Sequence, residues 1–317
     1  MNPPDGAPAS AASPQPQDEA SVQDVSARLR SLEVRFREFE KAFGPELVTD
    51  TALLGWTRDF ETLVTLMEEG RANIAQLGPH AARVDNIRLN GRQAIAKLIQ
   101  TTPWLTAETH GEMQAIVDRL PAYRQVGPYR FSSDWMSKCE PDWRRVLAPL
   151  MGRPEVRALE IGSYEGRSAI WLLENVLTHE TSRMVCVDLF AAPYGQVFDE
   201  NLAASGASQR VEKLVGLSGS ALRRLPPEPT FDLIYIDGSH KAFDVLEDAV
   251  LSWRLLRPGG VMIFDDYEMA AHHVPSNKLD RPDIGIDAFL SAAATQSEVV
   301  LKAFQVIVRK KELTSQP

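Results

Sequence analysis

The stretch Val156-Arg-Ala-Leu-Glu-Ile-Gly-Ser-Tyr-Glu-Gly-Arg-Ser168 decides how the chain is read. Val156–Ile161 is a short apolar run of strand type. A glycine turn follows at once, and the spacing predicts a helix over 168–177. Strand, glycine turn and helix in direct succession open a βα unit. Gly162 and Gly166 let backbone approach a ligand, and the first turn of the helix presents free N–H groups. The spacing is not Gly-x-Gly-x-x-Gly, so a dinucleotide pyrophosphate is not the favoured ligand.

Working towards the C-terminus, further apolar runs occur at 184–190, 211–216, 231–237 and 260–266, the last introduced by the turn Arg257-Pro258-Gly259. Helices are predicted over 243–256 and 286–294. Two nearly continuous runs, 298–304 and 305–310, read as a closing antiparallel pair. Alternating helices with Val/Ile-rich strands buried on both faces make an α/β fold, a Rossmann-like, doubly wound, mostly parallel seven-stranded sheet. Ligands of such sheets bind beyond the carboxyl ends of the strands. Asp188 ends the second strand, 22 residues after Gly166. An acid there is placed to accept from ribose hydroxyls, so the glycine turn and Asp188 together point to a nucleoside-bearing cofactor.

Towards the N-terminus, residues 1–20 are rich in Pro, Ala, Ser and Gln and are expected to be a disordered tail. Val22, Val25, Leu29, Leu32, Phe36, Phe39 and Phe43 then recur at heptad spacing until Gly44-Pro45. This helix reads equally as one packed on its own domain and as one that pairs with a second subunit. Apolar stripes over Leu53–Met67, Ile87–Ile99 and Glu112–Leu120, the last closed by Pro121, extend the helical texture. An all-helical region over 21–128 is therefore expected to precede an α/β domain over 129–317. His80 and His110 read as surface or packing residues.

Composition narrows the class. The 317 residues are 44% hydrophobic and 24% charged, as in a globular chain of about two domains. No apolar run is long enough to span a bilayer, and the first 20 residues lack the basic and apolar regions of a secretory signal. A net charge of −9 argues against a nucleic-acid partner. Two distant cysteines, Cys139 and Cys186, match no metal spacing. A reduced, cytoplasmic protein acting on a small molecule is the expectation, with neither membrane nor nucleic acid as partner.

A second cluster carries chemistry. Asp237 ends the fourth strand, and Asp265 and Asp266 end the fifth, its neighbour in such a sheet. Two carboxylates about 4 Å apart repel by roughly 4 kcal/mol at an effective dielectric near 20. Either one is protonated or a cation sits among them. Oxygen ligands suit Mg²⁺ or a similar hard ion. Adjacent strand residues point oppositely, so Asp265 and Asp266 share an ion only if the chain turns between them. His240, three residues after Asp237, is placed to take the proton of an attacking hydroxyl. Tyr267, and His272, His273 and Lys278 in the polar stretch 268–285, are candidates for substrate contact in a mobile lid.

The motifs Leu159–Ser168, Asp188, Phe231–His240, Arg257–Gly260 and Phe264–Tyr267, with Phe131-Ser-Ser-Asp-Trp135 before them and Gln305-Val-Ile-Val308 after, resemble the class I S-adenosylmethionine-dependent methyltransferases. The similarity is to the branch of macrocin-type sugar O-methyltransferases and covers about residues 129–311. It implies that Glu160, Gly162, Ser163, Tyr164, Gly166 and Ser168 border the methionine part of the cofactor. It further implies that Asp188 holds the ribose, that Ser218 lies near the adenine edge, and that Asp237 adjoins both cofactor and metal. It also implies a divalent metal on Asp237, Asp265 and Asp266, with His240 as base. The expected activity is metal-dependent methylation of a hydroxyl on a sugar or polyhydroxylated natural product. The rivals are a metal-independent or nitrogen-directed methyltransferase and a non-catalytic assembly protein.

Overall fold

The computed structural model describes residues 105–120, 122–269 and 279–312, with isolated helical positions between 54 and 100. The tail, the heptad helix, His80, His272, His273 and Lys278 lie outside the described residues. The chain divides into two compact units, Met1–Ala122 and Tyr123–Pro317. In the first unit, helix α1 (Ala107–Arg119) starts where the Thr106 hydroxyl accepts from the Thr109 N–H at 3.2 Å. It buries Met113, Ile116 and Val117 around Ile95. Arg92 Nε donates to the Val117 and Leu120 carbonyls at its far end. The predicted stop before Pro121 holds. The start lies earlier than the apolar stripe alone indicated, because the cap is polar.

The second unit opens with a hairpin, β1 (Arg124–Val126) and β2 (Tyr129–Phe131), and helix α2 (Glu140–Leu147). The hairpin strands are three residues long, too short to show a period in the sequence. The main sheet follows: β3 (Arg157–Ile161), α3 (Arg167–Asn175), β4 (Arg183–Asp188), α4 (Tyr194–Ala204), β5 (Val211–Val215), α5 (Ser218–Leu222), β6 (Phe231–Ile236), α6 (Ala242–Trp253), β7 (Leu256–Phe264), α7 (Pro282–Ala293), β8 (Ser297–Lys302) and β9 (Val306–Lys310). The seven strands run in the order β5-β4-β3-β6-β7-β9-β8, all parallel from β5 to β7, with β9 antiparallel to both neighbours. This is the predicted mostly parallel sheet with its antiparallel closing pair.

One boundary differs. β7 begins at Leu256, before the predicted turn, and Arg257–Gly260 bulge out of register between the pairs Phe231↔Leu256 and Leu233↔Val261. Pro258 has no N–H for the ladder and Gly259 takes φ +77°, so the sequence signal was a bulge inside a strand.

Side chains alternate across the sheet. Ala158, Met184, Cys186, Leu233, Tyr235 and Ile263 face one core with Trp143, Trp171 and Phe198 of α2, α3 and α4. Leu159, Ile161, Val185, Val187, Ile234, Ile236 and Met262 face the other with residues of α5, α6 and α7.

Chain order reverses between β3 and β6, so the crevice beyond their ends is where a ligand fits. Gly162 sits in that crevice with φ +85°, its N–H donating to the Val187 carbonyl at 2.8 Å. A Cβ there would lie 1.9 Å from the Asp237 carbonyl oxygen. Gly162→Ala should therefore cost more than about 2 kcal/mol in urea unfolding, the range of overpacked and strained sites. Gly206→Ala, at φ +69° with nothing within 4 Å of the added methyl, should cost clearly less. Equal losses would show that the approach to Asp237 is not tight.

Candidate functional site

The carboxyl ends of β3, β4, β6 and β7 open into one cavity of about 610 Å³. Three of its walls come from turns that follow strands. After β3, the turn Gly162–Gly166 is held by Asp188 at the end of β4. Asp188 Oδ2 accepts from the Ser163 and Tyr164 N–H groups at 2.7 and 2.9 Å, and Oδ1 from Phe190 N–H at 2.8 Å. Tyr164, at φ +48°, has its ring between those of Trp135 and Tyr194, with centroids 5.5 and 4.4 Å away. Gly162, Ser163, Tyr164, Ser168, Asp188, Ser218 and Asp237 all line the cavity.

Glu160 and Gly166 do not. Glu160 is fully buried beneath the turn, where Ser168 Oγ donates to Oε1 at 2.6 Å and the Cys186 thiol faces Oε2 at 3.7 Å. Burial lifts its carboxyl to about 7, against the pull of the hydroxyls around it. Gly166 serves packing: a Cβ there would meet the Phe198 ring at 2.9 Å. Both residues support the turn from behind.

The acidic cluster is also rearranged relative to expectation. The chain does turn at Asp266, which has φ +59°. Asp237, His240 and Asp266 each offer a ligand atom within 4.8 Å of the others, and His240 Nε2 lies 3.1 Å from Asp266 Oδ2. Asp265 faces inward instead. Its Oδ2 meets the Tyr235 hydroxyl at 2.7 Å, and its Oδ1 accepts from Gln305 Nε2 at 3.1 Å and from the Asp266 N–H at 2.9 Å. Gln305 in turn accepts from Trp143 Nε1 at 2.7 Å. Of the three expected aspartates, Asp237 and Asp266 group with His240, while Asp265 also lines the cavity but is engaged in a buried polar network.

Tyr235 was not singled out in the sequence, although it stands two residues before Asp237 and so points to the same face. Its hydroxyl oxygen, which carries one proton, lies 2.8 Å from Asp237 Oδ2 and 2.7 Å from Asp265 Oδ2. It can serve only one of them. Burial, then the charges of Asp265 and Asp266, push the Asp237 carboxyl well above the usual carboxylate range. Burial and Asp266 raise Asp265. The hydrogen bond to Asp266 raises His240. Without a cation, protons must take up the charge.

Tyr267 is not part of the cavity wall. Its hydroxyl points to Asp287 of α7 at 3.2 Å, and Lys302 stacks on its ring. Trp135, from the quoted Phe131–Trp135 motif, also lines the wall, with Met136, Lys138, Met269 and Phe304, to which the sequence reading gave no role. Lys138 Nζ lies 3.1 Å above the Phe304 ring. Asn201 ties the hairpin to the site, accepting from the Arg130 N–H and donating to the Arg130 and Glu165 carbonyls, each at 2.9 Å.

Residues 159–267, which contain the glycine turn, Asp188, Asp237 and the acid pair, match the family model of a methyltransferase domain. The segment is similar to methyltransferase domains. Over 118 residues it is 32% identical to the O-methyltransferase hkm8 of Aspergillus hancockii, a match that covers 37% of this chain and 44% of that relative. The chain thus spans less than half the length of the curated relative it matches. Among solved structures, an O-methyltransferase from Bacillus cereus in complex with SAH is 20% identical, with a TM-score of 0.45 over 69% of this chain and 97% of that one. The O-methyltransferase TomG from Streptomyces achromogenes, involved in tomaymycin synthesis and solved with SAM, is 21% identical, with a TM-score of 0.43 over 69% and 90%.

The buried Glu160 makes the stability of its unit depend on pH. An acid whose pKa is higher in the fold than the ordinary 4.5 favours the fold most below that value. The contribution is lost as pH rises through about 7. Glu160→Gln should melt higher relative to the wild type at pH 8 than at pH 5. The difference should be on the order of 3 kcal/mol. An offset that is the same at both pH values would contradict the burial of an ionisable Glu160.

Proposed function

We propose that the protein is an S-adenosylmethionine-dependent O-methyltransferase that requires a divalent cation. The observation that supports this best is the sharing of one cavity by the Asp188-held glycine turn and the Asp237–His240–Asp266 group. The residues fit a nucleoside cofactor. Asp188 Oδ1 has one backbone donor, which leaves a lone pair for a ribose hydroxyl. Leu217 and Ser218 wall the same cavity beside it. The residues also fit a hard cation, because Tyr235 has one proton for two carboxylates and the group is rich in oxygen ligands.

Bound there, S-adenosylmethionine supplies an electrophilic methyl group, and a cation such as Mg²⁺ lowers the pKa of a coordinated hydroxyl. The chain's residues divide the remaining work. One imidazole nitrogen cannot both ligate an ion and accept a proton. Asp237 and Asp266 are therefore assigned to the cation, and the His240 imidazole takes the proton of the acceptor hydroxyl. Asp266, 3.1 Å away, steadies the imidazolium that results. Asp265 keeps Tyr235 and Asp237 in place. Trp135, Met136 and Phe304 exclude water and hold the acceptor in line. The acceptor class, a sugar or polyhydroxylated natural product, rests on the resemblance of the glycine-turn and acidic motifs.

Incubation with S-adenosylmethionine labelled in its methyl group and a panel of acceptors, with Mg²⁺ or EDTA, tests the reading. Label should pass to a hydroxyl, stop with EDTA and resume with added Mg²⁺. His240→Ala should lower kcat by about 10²–10⁴-fold, the range of a positioned base. Transfer that persists in EDTA and in Asp266→Asn would favour a metal-independent or nitrogen-directed enzyme. No transfer to any oxygen acceptor would overturn the proposal.

A further inference from the structure

Lys138 stands in the cavity wall on the short helical turn Ser137–Cys139, between β2 and α2. Asp134 fixes that turn, accepting from the Ser137 N–H at 2.9 Å and from the Ser137 hydroxyl at 2.6 Å. Cys139 packs into the core, and Lys138 is exposed. The acids near it in sequence are taken by arginines. Asp134 pairs with Arg124 at 3.2 Å and with Arg167 at 3.6 Å. Glu140 pairs with Arg144 and Arg167 at 3.4 and 3.5 Å. The acids across the cavity turn elsewhere, Asp237 and Asp265 to Tyr235 and Asp266 to His240. Among the described residues, Lys138 is left with one contact, its ammonium 3.1 Å above the centre of the Phe304 ring. Arg167, the other lysine or arginine that lines the cavity, is committed to Asp134, Glu140 and Ser137.

A ring face holds an ammonium in place without neutralising it. The wall therefore presents one full positive charge that no side chain answers. We propose that Lys138 is a specificity-determining residue that receives a carboxylate of the acceptor, so that the favoured acceptor is a hydroxylated acid rather than its neutral counterpart. The inference rests on the reading of the cavity as that of an O-methyltransferase, and it narrows the acceptor class. The body of such an acceptor has apolar surface to lie on, because Trp135, 52% exposed, and Met136 and Phe304 line the same wall. Covering that surface removes water from around the ion pair and strengthens it. A single ammonium is a point charge without the forked donors that an arginine offers a phosphate, which favours a carboxylate. The role is recognition, so it acts on binding more than on the chemical step.

The test compares matched acceptors with and without a carboxylate, glucuronic acid with glucose and gallate with pyrogallol, at saturating S-adenosylmethionine and Mg²⁺. The wild type should favour the acid of a pair by about tenfold or more in kcat/KM, the scale of one hydrogen bond to a charged group. The difference should lie mainly in KM and shrink as salt is added. Lys138→Arg should keep the preference, Lys138→Gln should bring the ratio close to one, and Lys138→Glu should invert it. A purely structural role for Lys138 would change both members of a pair together and leave their ratio as it was. A wild-type ratio near one, or a wild-type ratio in Lys138→Gln, would overturn the inference. Calorimetry of the same pairs on the protein loaded with S-adenosylhomocysteine and Mg²⁺ separates this inference from the proposed reaction. Preferential binding of the acid that Lys138→Gln abolishes, without methyl transfer, would uphold the role of Lys138 and sink the reaction. Binding of neither member of either pair would overturn the inference.

Discussion

Everything at the site depends on how closely the chain after β3 passes the chain after β6. The Gly162 N–H reaches sideways to Val187 on one neighbour, and Ile161 accepts from the Asp237 N–H on the other, both at 2.8 Å. No side chain fits at Gly162, because its place is taken by the Asp237 carbonyl. This contact is at the point where chain order reverses, so it sets two different chemistries side by side. The turn with its donors lies on one side, held by Asp188. The carboxylates lie on the other. Neither half could serve the proposed methyl transfer at a distance, because that reaction needs donor and acceptor atoms in line.

The second constraint is electrostatic. Trp143, Gln305, Asp265, Tyr235 and Asp237 form a chain of hydrogen bonds with one proton too few if all the acids are ionised. Networks of this kind hold their geometry when fully satisfied and are costly when not. The deficit lies next to His240 and Asp266, at the exposed end of the network. A cation there would satisfy it while leaving the buried end untouched.

Much of this was legible in the sequence, for physical reasons. Strands buried on both faces read as Val/Ile-rich runs, so the sheet and its closing antiparallel pair could be recognised. The glycine turn, Asp188, Asp237 and His240 stand where strands end, and strand ends are predictable from those runs. What the sequence could not show was side-chain direction at a turn. Asp265 and Asp266 are adjacent letters, and the left-handed backbone at Asp266 separates one into the network and the other into the group with Asp237 and His240. Tyr267 looked like part of the same motif, yet it turns towards Asp287. Tyr235 and Gln305 lie in quoted motifs, but they act through contacts with Asp265, distant in sequence, that no local pattern shows. The Arg257–Gly260 bulge looked like a turn because Pro and Gly have the same signature in both.

The central claim is that the cofactor's methyl group and a divalent cation occupy one cavity at the same time. The most direct measurement is the NMR linewidth of the methyl group of ¹³C-methyl-labelled S-adenosylmethionine bound to the protein, titrated with paramagnetic Mn²⁺. Strong broadening that saturates with one Mn²⁺ per chain, and that disappears in a variant with Asp237 and Asp266 both changed to Asn, is the predicted result. A bound cofactor whose methyl signal stays sharp at saturating Mn²⁺ would contradict the account.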